Sequence, residues 1–436
     1  MTGDSSEGTS AGACLPIVTP RKRSAITHHP DTRMTRFYDS PVSPDRRCVV
    51  IGAGLLGFSA AWSLSRRGWT IEVLEAAGGS GHPLAGSKGE ARIFRLGYPQ
   101  SHYVAMAKAA GTLWRELEAQ SGRRLLHVTG QLSFGDAEVI TALAGSLADL
   151  EDAGEPMTRQ EARARFPGVA VPGPALFEPQ SGVLAADECL HALIQTGRFE
   201  VRARAHVIRL EDDDEGVTVH CADGRAIRAD VVVACAGPDS LALLGEWAQR
   251  VGAAPSLPQV AYFKTASSGA VDPAASPVFI EWGDSMVYGL PVLGSGQHGG
   301  TFKVSHHTPG RALRGYDPAA KPPPELDADD TVHLRALTDA VRRLLPGLDP
   351  EPIATERCVY DNSVDTDFVL DRLGNVVVGC GTSGHGFKFG PYLGELLADL
   401  AEGTEPPFVR DRFGLWRSVA VPAAPTPVQA TGGSPS

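Results

Sequence analysis

Residues 48–76 read CVVIGAGLLGFSAAWSLSRRGWTIEVLEA, and the order of residue types in this stretch decides the fold. Residues 48–51 are a short apolar run, the pattern of a buried strand. Residues 52–57 then supply Gly-x-Gly-x-x-Gly. Residues 58–67 read as a helix that stops at Gly68, and residues 70–74 as a second apolar strand closed by Glu75. Each glycine has a physical task in such a unit. Gly52 permits the tight turn, Gly54 lets a pyrophosphate approach the backbone, and Gly57 lets helix and strand pack closely. Leu55 and Leu56, between the last two glycines, belong to the same loop, and the helix start faces the phosphates with unpaired N–H groups. Glu75 lies 23 residues beyond Gly52, a spacing that suits a carboxylate accepting from ribose hydroxyls. The stretch reads as a dinucleotide site, against the bland alternative of a structural glycine turn. The motif alone does not choose between NAD and FAD.

The chain has 436 residues, 42% of them hydrophobic, and a formal charge of -11. That length suits two or three domains. The acidic balance argues against nucleic acid or an anionic membrane surface as the main partner. No run reaches the ~18 uninterrupted apolar residues of a membrane span. Seven cysteines are scattered without a Cys-x-x-Cys. This argues against a disulfide framework or a metal site and fits a reducing cytoplasm. Residues 1–45 are rich in Ser, Thr, Gly, Pro and Arg, lack the apolar core of a secretory signal, and read as a disordered extension. Met34 offers an alternative start. Residues 419–436 read as a disordered tail.

Between these ends the pattern alternates. Residues 78–95 form a Gly-rich loop running into basic residues, and residues 101–121 a helix with Trp114 and Leu117 on its apolar face. Residues 126–134 and 177–184 read as strands, and 136–153, 158–166 and 187–196 as helices. Residues 199–237 read as successive strands, the last of which, RADVVVACAG, ends at Ala236-Gly237 beside the nucleotide. Residues 260–265, 277–281, 286–291 and 301–305 predict a second sheet. A charged, Pro-rich loop (309–329), a helix (331–345), strands at 358–360 and 375–379, and a helix from Ser383 complete the chain. The expected class is α/β: a Rossmann-like βαβ dinucleotide-binding domain, discontinuous over 46–100, 185–245 and 352–415. An α+β substrate domain with a mostly antiparallel sheet takes 101–184 and 246–351.

At residues 86–95, GSKGEARIFR, the chain resembles the monomeric sarcosine oxidase and N-methyltryptophan oxidase family of flavin amine oxidases, within the D-amino-acid-oxidase superfamily. The resemblance continues through FEPQSGVL (177–184), ADVVVACAGPDS (229–240), VYGLP (287–291), TFKVSHH (301–307), RCVY (357–360) and SGHGFKF (383–389), and spans residues 46–412. It implies FAD as the cofactor, covalently tethered through Cys358; on residue type alone Cys358 reads as a small apolar packing residue. It implies that Arg95 and Lys388 hold a substrate carboxylate, which chemistry favours because Arg offers a planar fork. Lys303 matches the lysine that activates O2, where a cation stabilises developing negative charge. His307 matches an active-site histidine, with His306 one position away as the alternative. Tyr288 and Tyr360 match pocket tyrosines. Ser87, Lys88, Arg92 and Val207 belong with the cofactor site, as do Gly384, His385 and Gly386 at the flavin edge.

The implied reaction is oxidation of a secondary or N-methyl amino acid. A hydride equivalent passes from a C–H beside nitrogen to FAD, the imine hydrolyses, and O2 becomes H2O2. The expected partners are the amino acid and O2, and the expected state is a monomer. Oxidation of a cyclic imino acid, of the piperideine-carboxylate or pipecolate type, is an alternative. A dehydrogenase passing electrons to another protein, and a non-catalytic FAD-binding protein, are further ones. Some positions depart from the family pattern. The family commonly has His-His-Gly-Asp-Thr-Arg where residues 88–92 read KGEAR, so Lys88 replaces a histidine over the flavin. A cation there favours an anionic reduced flavin. Phe279 falls where a flexible Met often covers the substrate. Glu281 and Asp284 read as rim charges or as readers of a second amine.

Overall fold

The computed structural model describes residues 46–78, 85–151, 153–245, 254–266, 271–283, 285–308, 310–313, 316 and 328–418. The two terminal extensions, Asp284 and most of the Pro-rich loop lie outside the described residues.

The quoted stretch folds as a βαβ unit. Arg47–Ile51 pairs in parallel with Thr70–Leu74 on one side and with Val231–Ala234 on the other. Glu200–Arg202 and Val376–Cys380 extend this sheet in parallel at its two sides, and Val369–Leu373 closes one edge antiparallel. Strands distant in sequence thus make one nucleotide-binding sheet. The helix Leu55–Arg66 is buried along most of its length because it is sandwiched between this sheet and the helix Gly390–Ala401. A Cβ on Gly394 would lie 2.4 Å from Ser59 O, so these two helices touch through backbone. On the opposite face, the antiparallel strands Val207–Asp213, Gly216–Cys221 and Ala226–Ala229 pack their valines against Val49 and Ile51.

A second sheet has eight strands, in the order Ala354–Arg357, Gln259–Phe263, Phe302–His306, Val287–Pro291, Val278–Trp282, Gln131–Gly135, Ala175–Glu178 and Glu155–Met157. Every neighbouring pair is antiparallel except Val278–Trp282 with Gln131–Gly135. The period of two sends Phe279, Phe302 and Val304 to one face, where Leu337, Val341 and Leu344 of the helix Ala328–Leu344 cover them. The other face carries Ile280, Tyr288 and Lys303 towards the nucleotide-binding sheet. A small sheet of Ala91–Phe94, Gly182–Ala185 and Leu126–His127 packs Ala91 and Val183 onto that face, and so carries Arg92 and Arg95 to it.

Several runs that read as single strands are split between two sheets. Residues 126–134 break at Gly130, which has φ +77 and where a Cβ would lie 2.3 Å from the Phe177 ring, so other side chains are excluded. Residues 177–184 turn between Glu178 and Gly182, and the 199–211 run breaks where Arg204 takes φ 55. RADVVVACAG divides at Asp230, whose carboxylate accepts from Arg47 N at 2.7 Å. Cys358 and Val359 lie between two strands rather than in one, and the last long helix starts at Gly390, after a turn that holds Gly384–Gly386. An apolar alternation shows that a strand is half-buried. It carries no information about which of two sheets buries it.

Candidate active site

Two cavities, of about 910 and 460 Å³, share the lining residues Lys88, Arg92, Tyr360, Gly384 and Phe387. The larger begins at Glu75 and Val207 and passes Gly52, Gly54, Leu55, Leu56, Ala236 and Gly237. It then reaches Ser87 and Lys88 and ends at Gly384 and Gly386. The smaller is lined by Arg95, Tyr288, Lys303, His307, Cys358, His385 and Lys388. Of the residues expected to bind the cofactor or take part in catalysis, Gly57 is the one that lines neither cavity among the described residues. Its place is structural, since a Cβ there would sit 2.0 Å from Gly52 O.

The larger cavity fits a dinucleotide. Gly52 has φ +100, and a Cβ on it would meet Cys235 O at 2.4 Å, so the strand-to-helix turn tolerates no side chain. Glu75 accepts from Ala53 N at 2.9 Å and Ala77 N at 2.8 Å, which ties the glycine turn to the second strand and leaves its carboxylate on the cavity wall. Ser87 Oγ accepts from Leu55 N at 2.9 Å, so the next loop already caps the helix end that would face a pyrophosphate. Glu75, the helix N-terminus and the Ala236-Gly237 turn together line the stretch of the cleft that could take ribose and phosphates.

Arg92 closes the loop above. Its Nη2 donates to Gly86 O at 2.7 Å and to Lys88 O, and its Nη1 to Ala91 O at 2.9 Å. Arg95 is free of such ties. It is 4% exposed, its Nη1 has no hydrogen-bond partner among the described residues, and its Cζ stands 4.1 Å over the Tyr98 ring and 5.1 Å from that of Trp282. Lys388 also approaches Tyr98, with Nζ 5.5 Å from the ring centroid and donating to His385 O at 2.9 Å. Trp114 Nε1 donates to Lys388 O at 2.8 Å and fixes that turn. Burial lowers the Lys388 ammonium's pKa against the pull of Tyr98. Burial alone would raise Tyr98, but Lys388 and Arg95 outweigh it and the phenol is held below its ordinary range. Behind Arg95, the carboxylate of Glu178 accepts from Leu96 N, Gly97 N, Ser181 Oγ and Gln131 Nε2 at 2.8–3.1 Å. Burial still raises its pKa.

His307 faces the site, 5.3 Å from the Trp282 ring, whereas the His306 ring turns to His333 at 4.5 Å. His307 and His385 are each driven down to about 3, first by burial and then by the two cations, so both are neutral near pH 7. Lys303 is driven down to about 7 by burial and by Arg92. Burial also raises the thiol of Cys358, against Arg92 and Lys303. Tyr288 and Tyr360 are raised by burial as well.

The position read from Phe279 needs correction. Phe279 is fully buried on the helix-covered face under Gly289, and Ile280 faces the cavity instead. Glu281 is likewise buried on that far side and is not a rim charge. Sequence reasoning missed Tyr98, Trp282 and Glu356. The LGYP following Arg95 was the one available signal for Tyr98. The others reach the site only through strand register. Among the described residues no group of His, Cys, Asp and Glu is arranged to hold a metal, and no helix is long and apolar enough to cross a membrane.

A cleft long enough for a dinucleotide thus adjoins a polar chamber that holds buried cations. The family described as FAD dependent oxidoreductase (DAO) matches residues 47–400, and the chain belongs to it. Among curated proteins it is 29% identical over 387 residues to the peroxisomal sarcosine oxidase of Homo sapiens, covering 84% of this chain and 95% of that one. It is 28% identical over 391 residues to the N-methyl-L-tryptophan oxidase of Yersinia pestis (strain Pestoides F), covering 86% and 99%. A solved structure of NikD, an unusual amino acid oxidase essential for nikkomycin biosynthesis, superposes with a TM-score of 0.71 at 26% identity, covering 84% of this chain and 97% of that one.

Proposed function

We propose that the protein is a flavin-dependent amine oxidase acting on a secondary or N-methyl amino acid, with O2 as the final acceptor and H2O2 as a product. The observation that carries this reading is the pair of buried cations, Arg95 and Lys388, in a cavity that adjoins the dinucleotide cleft. The family and the sarcosine and N-methyl-L-tryptophan oxidases among its relatives support it. When bound, FAD supplies the two-electron acceptor for the C–H bond beside nitrogen and passes the electrons to O2.

The residues of the chain supply position and charge. Residues 46–100, 185–245 and 352–415 hold the cofactor, with Glu75 at the ribose, Leu55 and Leu56 at the phosphates, and Cys358 Sγ as the point of covalent attachment. Residues 101–184 and 246–351 complete the substrate chamber. The free edge of Arg95 takes the carboxylate as a fork, and Lys388 adds a second donor. Neutral His307 and His385 add no charge of their own beside those two cations. Arg95 and Lys388 also disfavour a protonated amine, so the substrate binds with the nitrogen lone pair available and no catalytic base is assigned. A second reading, oxidation of a cyclic imino acid, is favoured by the aromatic wall of Tyr98, Trp282, Tyr288 and Phe387.

Anaerobic mixing with sarcosine, N-methyl amino acids, proline, pipecolate and piperideine-2-carboxylate tests the reading. At least one is expected to bleach the flavin, with recovery and peroxide on admitting air. Formaldehyde marks demethylation; bleaching without it marks ring oxidation. Failure of every carboxylate-bearing amine to bleach the flavin sinks the proposal. Acid precipitation of the same protein is expected to leave a yellow pellet, and Cys358→Ala to release the colour into the supernatant. Colourless wild-type pellets would remove the covalent link.

A further inference from the structure

Lys303 sits beside a second, unassigned polar cluster. Its Nζ reaches Ala91 O at 3.5 Å and is otherwise turned towards the loop at Gly89. A Cβ placed on Gly89 would lie 3.5 Å from Arg92 Nη1, 3.7 Å from Glu356 Oε2 and 3.9 Å from Lys303 Nζ. Two cations and one carboxylate therefore converge on a single point at the edge of the smaller cavity. Strand register brings them there. Tyr262 pairs with Lys303 on one side and Ala354 on the other, and Glu356 follows Ala354 on the same face.

Glu356 is aimed by two further residues. Tyr262 Oη donates to its Oε2 at 2.8 Å, and His298 Nε2 lies 3.4 Å from its Oε1. The His298 ring stacks on Tyr262 at 3.8 Å between centroids, and His298 N donates to Glu90 Oε1 at 2.9 Å. The carboxylate thus has a built setting, half-buried and oriented from behind. Burial tends to raise its pKa, but Tyr262, Lys303, Lys88 and His298 prevail and hold it below the usual carboxylate range. It is ionised at neutral pH.

We propose that Glu356, oriented by Tyr262 and His298, is the positioning residue for Lys303, and that its negative charge keeps the Lys303 ammonium protonated beside the cofactor. The oxygen role of Lys303 belongs to the oxidase reading above, and the proposal rests on that reading for its purpose. The charged groups around Lys303 divide by sign. Burial and Arg92 disfavour the ammonium, while the carboxylates of Glu356 and Asp187 favour it; Cys358 would do so only as a free thiolate, which its proposed attachment to the flavin removes. Asp187 answers also to Arg92 and His191. Glu356 is the carboxylate that borders the same Gly89 loop as Lys303 Nζ, so its removal takes a negative charge from the field at Lys303.

The test reads Lys303 itself. Holoenzyme carrying lysine labelled with carbon-13 at Cε is titrated by NMR, and the signal lost in Lys303→Met identifies the residue. Wild type is expected to titrate near 7. Glu356→Gln is expected to move that midpoint down by about one pH unit, which is about a tenfold loss of ammonium at pH values above both midpoints. Glu356→Asp should restore most of the shift, and Tyr262→Phe should give a smaller one in the same direction. An unmoved Lys303 midpoint in Glu356→Gln overturns the proposal; if that variant does not fold, an unmoved midpoint in Tyr262→Phe does so. The rate of flavin reoxidation by O2, measured against pH in the same variants, judges the other link. A shifted midpoint with an unchanged reoxidation profile keeps the Glu356–Lys303 coupling and removes the oxygen role of Lys303.

Discussion

Lys303→Met is expected to slow reaction of the reduced enzyme with O2 by roughly 10²–10³-fold, the usual cost of removing one buried group that stabilises developing charge. Reduction by substrate under anaerobic conditions should stay within about a factor of three, because Lys303 Nζ is directed to the Gly89 loop with Arg92 and Glu356 rather than to Arg95 and Lys388. Methionine keeps the length and apolar stem, so the cavity wall survives. The same substitution has a stability signature whose sign follows from burial. The folded-state pKa of Lys303 is lowered to about 7, against an unfolded value of ~10.4. Between these values the unfolded chain binds more protons, so stability rises with pH there. The penalty is therefore fully present below pH 7 and disappears above the unfolded value. Lys303→Met should stabilise the holoprotein by a few kcal/mol near pH 6, and by much less near pH 10. Urea midpoints at the two pH values check this, with FAD content held equal. Undiminished O2 reactivity in Lys303→Met would remove the oxygen role of Lys303, whereas a wild-type reduced flavin that fails to react with O2 would return the protein to the dehydrogenase alternative.

Arg95→Met is expected to lower kcat/KM for the amino-acid substrate by roughly 10²–10³-fold, since truncating one partner of a buried charge pair costs about 2–5 kcal/mol. Arg95→Lys should recover only part, because an ammonium lacks the planar fork. FAD content should not change, as Arg95 lines only the smaller cavity. The discriminating measurement compares an N-methyl amino acid with an N-methyl amine that has no carboxylate. A carboxylate-binding Arg95 requires the variant to lose its preference between them. Equal losses for both would assign Arg95 to packing against Tyr98 and Trp282. Thermal melting must accompany the kinetics, because Arg95 offsets the buried charge of Glu178.

Residues 48–76 were legible because their constraints are local and steric. A turn in which a Cβ on Gly52 would lie 2.4 Å from Cys235 O and a helix that rests on Gly57 leave no other residue type possible, and chain order alone places the acid at Glu75. The site residues Arg95, Lys303, Cys358 and Lys388 were legible only through motif resemblance. As isolated residues they resemble any surface arginine, strand lysine, buried thiol or loop lysine. At Phe279 sequence reasoning erred by one register step. Phe279 and Ile280 are neighbours, and a strand shows opposite faces at successive residues. The tertiary pairing chose which of them meets the cavity.

Sequence by itself determined the dinucleotide unit, the alternation of helices and strands, and the stock of cations available for an anionic substrate. Tertiary structure alone decided which strands share a sheet, that Tyr98 stands between Arg95 and Lys388, and that Glu356 meets Lys303 beside Gly89. The reason is range. Turn geometry and helix or strand periodicity act over a few residues and are written in them. The field at a buried charge is set by whatever the fold brings within a few ångströms: at Lys303 those groups come from residues 92, 187, 356 and 358.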